Sequence, residues 1–332
     1  MHNPNFRVLG AYALVARLNP DLIPTAYQRI SELNVDALEV PLAEFNAQSQ
    51  ITSQPPSAPA YGALDTGLDV VVTCIPTVMQ SLGRNPNYGL ASLDESGRQQ
   101  AVADVIEVLN NGDRLAQQEQ RARLKAIQVH SAPRIGNSSL QALEASLSYL
   151  VAHAGSVNLA IEHCDALRQG HPFEKGFLEL ADEIEVIQQL NSDQLGVTIN
   201  WGRSAIEARS SVSQAPTQPA YRDALTSYVT NQVELAAASG VLKGLMFSGA
   251  ADVSGPWGPA FEDSHIAPCG EAPALAQSHA SIMDAQAVTD ALKVAGPAET
   301  LWYSGAKVTV LDAENSVDRC LAVARATLDL LG

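Results

Sequence analysis

The chain has 332 residues, 46% hydrophobic and 17% charged, with 20 Lys and Arg against 36 Asp and Glu, giving a formal net charge of −16. This length and composition supply a large buried core and exclude a disordered chain. The acidity argues against partners held through phosphate backbones and against anionic membrane surfaces, because both kinds of binding draw on Lys and Arg.

In chain order, the first apolar run rich in β-branched residues covers 7–14 and is followed by a helical period over 24–33. A second strand is expected at 37–42, a third at 68–76, then a long helix over 97–119, where Val102, Val105, Ile106 and Leu109 share one face. Strands at 124–131, 158–163, 196–201, 242–248 and 300–305 alternate with helices over 138–154, 173–190, 219–239, 280–294 and 316–331. Several strands are apolar on successive positions, as in Leu68-Asp69-Val70-Val71-Val72, which suits parallel strands buried on both faces. Eight strand–helix units over residues 1–332 predict a single (β/α)8 TIM barrel. A doubly wound open sheet is the runner-up, and it lacks its G-x-G-x-x-G fingerprint.

Residues 43–66 and 249–278 are longer than ordinary connections and follow strand ends, which is the active-site face of such a barrel. The four cysteines, Cys74, Cys164, Cys269 and Cys320, are dispersed without a C-x-x-C pair. No uncharged apolar run reaches the ~20 residues that span a bilayer, and a cytoplasmic protein is expected.

Chemistry-bearing residues gather at the predicted strand ends: Glu39, Cys74, His130, Glu162, Asn200, Arg203, Ser248, Ser304 and Lys307. In a barrel these converge on one bowl. His163 follows Glu162 directly, and alternation along a strand points it the other way. Glu39 reads equally as an acid–base group or as part of an interior hydrogen-bond network. Arg203 reads equally as a substrate-binding cation or as one half of a structural ion pair.

The segments VHSAP, LAIEHCD, GVTINWGRSA and FEDSHIAPCGE, with the run NPNYGLASLDESGRQQ after the third strand, together resemble the xylose isomerase-like TIM-barrel superfamily. That superfamily holds sugar isomerases, epimerases and endonuclease IV-type enzymes, whose carboxylates and imidazoles bind divalent metals. His130, Glu162, Asp263 and His265 stand at positions matching its ligands. Cys74 replaces a histidine there, Asn200 and Arg203 replace an aspartate and a histidine, and Ser248 and Ser304 replace further ligands. Arginine cannot ligate a metal and serine does so poorly. The resemblance therefore implies either no metal or one divalent ion (zinc, magnesium or manganese) held by Cys74, His130 and Glu162.

The resemblance further implies a carbohydrate isomerase or epimerase that transfers a proton next to a carbonyl. Glu162, His130 and Arg203 would be its catalytic groups, and Glu39, Asn200, Trp257, Asp263, His265, Ser304 and Lys307 would contact the substrate. The expected partner is a small-molecule carbohydrate, and a homo-oligomer is compatible with the composition. A non-catalytic sugar-binding barrel is the alternative. A glycoside hydrolase using Glu39 and Glu162, or an endonuclease IV-type nuclease, fits less well, the latter because of the net charge.

Overall fold

Eight short strands pair in parallel in chain order, and the last closes onto the first. The structure is a computed structural model and describes residues 6–49, 61–168, 170–213, 216–218 and 220–332. The order is β1 (Arg7–Leu9), α1 (Ala11–Leu14), α2 (Ile23–Arg29), β2 (Ala37–Pro41), α3 (Leu42–Ser49), β3 (Asp69–Thr73), α4 (Ile75–Leu82) and α5 (Glu95–Glu119). There follow β4 (Leu124–Val129), α6 (Leu140–His153), β5 (Asn158–His163), α7 (Leu180–Leu190), β6 (Leu195–Asn200) and α8 (Trp201–Ala208). The chain ends with α9 (Tyr221–Ala238), β7 (Leu242–Phe247), α10 (Ala285–Ala295), β8 (Tyr303–Ala306) and α11 (Val317–Leu328). This is a single (β/α)8 barrel, as the alternation of patterns predicts.

Side chains alternate across the barrel wall, and register partners share a face. Val8, Ala37, Val71, Ala126, Met246 and Tyr303 form a small apolar cluster inside. Leu9, Leu38, Val72, Ile127, Ile161 and Ile199 belong to the much larger layer between barrel and helices. Above the inner apolar cluster the lumen turns polar: the Tyr303 hydroxyl meets Thr198 Oγ1 at 2.6 Å and accepts from Gln128 Nε2 at 3.2 Å. The helices start on side-chain caps that satisfy otherwise orphaned amides. Asp94 accepts from Gly97 N, Ser139 from Ala142 N, Asp284 from Ala287 N and Ser316 from Arg319 N.

The departures from the sequence reading fall at strand ends. The run over 7–14 is a strand only to Leu9, after which the chain turns at Gly10 into α1. Residues 68–76 end as a strand at Thr73, and Pro76 lies in the first turn of α4, where its missing N–H is harmless. The helix expected over 173–190 starts at Leu180, because the Asp165 carboxylate captures the amides of Glu174 and Lys175 and holds that stretch as a loop. Trp201 begins α8 rather than ending β6. Within 43–66, α3 runs to Ser49, and residues 50–60, with the expected proline-rich loop, lie outside the described residues.

The long connection after β7 is laced to the barrel: Gly249 and Ile266 exchange hydrogen bonds at 2.7 and 2.8 Å, and Thr309 N donates to His265 O at 2.7 Å. Gly202 lets α8 lie against it, since a Cβ there would stand 2.3 Å from the Ser248 carbonyl oxygen. Gly202→Ala is therefore expected to lower stability by about 1–3 kcal/mol, read as an earlier urea midpoint. No helix among the described residues is long and apolar enough to cross a membrane.

Candidate active site

The upper strand positions and the segments that follow them carry an alternating chain of charges. Lys307 continues the inner parity of Tyr303 and Gly305, and its ammonium donates to Glu39 Oε1 at 3.2 Å and lies 3.7 Å from Glu162 Oε1. Arg203, in the first turn of α8, sets Nη1 2.7 Å from Glu162 Oε2 and Nε 3.3 Å from Asp263 Oδ2. Lys175 reaches the same Asp263 oxygen at 3.3 Å. Three carboxylates and three cations thus alternate from Glu39 to Lys175.

Glu162 is the hub. His130 Nε2 lies 3.0 Å from its Oε2, Asn200 Nδ2 donates to Oε1 at 3.0 Å, and Thr73 Oγ1 approaches Oε2 at 3.5 Å. Burial opposes its charge, but Arg203 and then Lys307, with the His130 hydrogen bond, outweigh that and hold the carboxyl well below its ordinary range. Burial likewise opposes the Lys307 charge, and Glu162 and Glu39 more than restore it, so it stays an ammonium. Burial dominates at Glu39 and raises its carboxyl despite Lys307. His130 and His265 are both pushed down by burial to about 4, so each is neutral at pH 7.

A neutral His130 that donates through Nε2 to an ionised Glu162 presents Nδ1 as a bare acceptor. That atom, Glu39 Oε2 and Asn200 Oδ1 are buried and have no hydrogen-bond partner among the described residues. Buried acceptors without donors are costly unless something supplies them. Gly10 keeps the approach to Glu39 open: a Cβ there would stand 3.0 Å from Glu39 Oε2 and 2.9 Å from Lys307 Cγ.

The cluster is deepest at Glu39, Glu162 and Lys307, whose side chains are 0% exposed, and opens towards Lys175, Asp263 and His265, at 11, 13 and 16%. His265 sits on a left-handed backbone (φ 54°), as does Phe261 (φ 60°), in the loop after β7. Its Nδ1 faces Ser248 Oγ at 2.8 Å and Asp263 Oδ1 at 3.3 Å, leaving Nε2 without a partner among the described residues.

The structure thus brings Glu39, His130, Glu162, Asn200, Arg203, Asp263, His265 and Lys307 together, and it leaves three expected residues elsewhere. Ser304 pairs with Arg7 and Leu245, low on β8, and by alternation faces the helices while Tyr303 faces in. Cys74 is the turn residue before α4 and lines a small, largely apolar cavity with Leu42, Val78, Tyr88, Leu90 and His130. The inward position there belongs to Thr73. Trp257 packs with Ala251 and Ile266 of the long loop and with Leu311 after β8, and donates its indole N–H to Gln277 O at 3.1 Å, so the ring braces the loop.

A metal held by Cys74, His130 and Glu162 does not fit this arrangement. Among the described residues no group of three or more His, Cys, Asp or Glu side chains could hold a metal ion. Burial raises the Cys74 thiol far above the thiolate range, and both Glu162 oxygens already face cations.

Three contributors escape the sequence reading. Tyr12, whose ring centroid lies 5.3 Å from Lys307 Nζ, falls in a stretch patterned like a strand, and Lys175 in one patterned like a helix. Thr73 is hidden beside the more reactive Cys74.

Fold and site together define a single (β/α)8 barrel whose mouth carries arginine and lysine. Solved structures similar to this chain are sugar epimerases and related barrels. The D-psicose 3-epimerase of Clostridium cellulolyticum H10, solved with D-tagatose, has a TM-score of 0.51 at 12% identity, covering 98% of both chains. An L-ribulose 3-epimerase gives 0.54 at 12% identity, covering 98% of this chain and 94% of that one. A zinc-bound IolI protein gives 0.55 at 12% identity, covering 98% of both. At such identity the likeness is one of fold. The chain belongs to the family described as a domain of unknown function (DUF4862), which matches residues 8–323. A relative of uncharacterised role from Salmonella typhimurium LT2 is 29% identical over 266 residues, 79% of this chain and 76% of that protein.

Proposed function

We propose that this protein is a carbohydrate isomerase or epimerase that moves a proton next to a carbonyl of an uncomplexed sugar or sugar derivative, using Lys307 and Arg203 as its electrophiles. The observation that carries the reading is the set of three buried acceptors, Glu39 Oε2, His130 Nδ1 and Asn200 Oδ1, left without donors among the described residues beside those two cations. Such acceptors call for hydroxyl groups, and a polyol supplies several at once. The ammonium and guanidinium lie where negative charge on an enediolate oxygen would be stabilised. Glu39 is the proton carrier in this scheme, since one oxygen is free and burial raises its carboxyl towards the working pH. Glu162, held ionised by both cations, anchors them rather than acting as the base. His130 and Asn200 orient hydroxyls. Lys307 also contacts both Glu39 and Glu162, so the two carboxylates share one cation, which disfavours the independent acid and nucleophile or base of a glycoside hydrolase.

The test is incubation of the purified protein with a panel of ketoses and aldoses in deuterated buffer. Carbon-bound deuterium is expected from at least one sugar, and Glu39→Gln should slow its incorporation about 10²–10⁴-fold. No incorporation across the panel defeats the enzymatic reading. A non-catalytic sugar-binding barrel is the second reading, favoured by the complete burial of Glu162 and Lys307. Sugar-induced thermal stabilisation without exchange would support it.

A further inference from the structure

Two neighbouring dipeptides are each split by the barrel wall. At the end of β4, His130 faces inward to Glu162, while Ser131 faces outward and its hydroxyl donates to Glu183 Oε1. At the end of β5, Glu162 faces inward to Arg203, while His163 faces outward. His163 Nδ1 lies 2.8 Å from Glu183 Oε2 on α7 and its Nε2 lies 3.0 Å from Glu207 Oε2 on α8. Glu207 stands one turn after Arg203 on the same helix, so α8 touches β5 twice, once on each side of the wall.

Both ring nitrogens of His163 thus face carboxylates, which an imidazolium satisfies by donating once to each. Glu207 cannot be the neutral partner, because it also accepts from Ala166 N at 3.0 Å, Gln232 Nε2 at 3.1 Å and the Tyr228 hydroxyl, and Arg168 lies 3.4 Å away. His163, Glu183 and Glu207 are all 0–2% exposed. This network is as elaborate as the one in the mouth, yet none of its members points into the mouth.

We propose that His163 is a positioning residue for the mouth: held as a cation between Glu183 and Glu207, it fixes Arg203 and Glu162 from the outer face of the barrel wall. Glu207 is the arm that transmits the constraint, since holding it sets the rotation of α8 and with it the direction of the Arg203 guanidinium. Ser131 ties the same clamp to β4 and so to His130. The effect on Arg203 stands by itself; the effect on turnover rests on the isomerase reading above.

The test is nitrogen NMR of the full chain at pH 8. Both His163 ring nitrogens are expected to carry protons, with the signature lost in His163→Asn; a neutral His163 at pH 8 overturns the proposal. In Glu207→Gln, the guanidinium protons of Arg203 should exchange with solvent about tenfold faster while far-UV dichroism stays that of the folded chain. Unchanged Arg203 exchange overturns it. Where Glu207→Gln does not fold, Tyr228→Phe, which removes one donor to Glu207, gives the same readout in smaller measure. With a sugar that exchanges in the wild type, kcat should fall in the clamp variant at constant KM, and an unchanged kcat counts against the proposal. If no sugar exchanges in the wild type but the Arg203 protons respond as expected, the isomerase reading falls and the clamp stands.

Discussion

Arg203→Met is expected to destabilise the protein by about 3–5 kcal/mol, the range for breaking a fully buried pair by removing one partner. The urea midpoint measures it. Methionine preserves most of the side-chain volume, so the cost isolates charge from packing. Among the described residues Glu162 would then keep only Lys307 as a cation within 4 Å, and Asp263 only Lys175 besides the neutral His265. Adding Glu162→Gln should recover a substantial part of the loss, because the uncompensated charge goes with it. A double variant no more stable than the single one would mean that Arg203 matters mainly through Asp263.

His163 on one hand, and His130 with His265 on the other, should each give the stability profile a limb, on opposite sides of pH 6.5. His163 is raised from 6.5 to about 10 as Glu183 and Glu207 together overcome the burial that opposes its charge. A raised folded-state value means its contribution is complete below pH 6.5 and is lost as the pH climbs through 10. The size is about 4–5 kcal/mol at most, from the energy of one pKa unit. His130 and His265 do the reverse: lowered by burial to about 4, they contribute above pH 6.5 and lose that contribution as the pH falls through 4. Glu207, held at about 2 by His163 against the cost of burial, adds a further acid loss between 4.5 and 2. Urea midpoints taken from pH 4 to pH 10 report the profile. In His163→Gln the alkaline limb should flatten while the acid limb due to His130 and His265 remains. An alkaline limb unaltered in that variant would assign it to other groups.

The barrel is legible in the sequence because burial on both faces writes an uninterrupted apolar run, and Val70 to Val72 is such a run. The strand ends are harder, since they hold polar residues whose facing depends on one position of register. Alternation alone separates Glu162 from His163 correctly. Cys74 and Ser304 are misplaced because the inward parity belongs to their neighbours Thr73 and Tyr303, and only the register of the formed barrel shows which of each pair faces in. Arg203 can be named from the motif, but its two carboxylate partners come from β5 and from the loop after β7, 41 and 60 positions away. No local signal marks Lys175, whose placement depends on Asp165 gathering the amides of a seemingly helical stretch.

A barrel wall is one residue thick, and at His130-Ser131 and Glu162-His163 that thinness bears on inheritance and engineering. Each dipeptide is a single stretch of gene serving two compartments, so recombination that exchanges a whole strand end carries the lumen residue and its outer brace together. Substituting the lumen residue alone separates them. Transplanting this mouth into another barrel therefore means moving pairs of positions, together with the faces of α7 and α8 that receive the outer member.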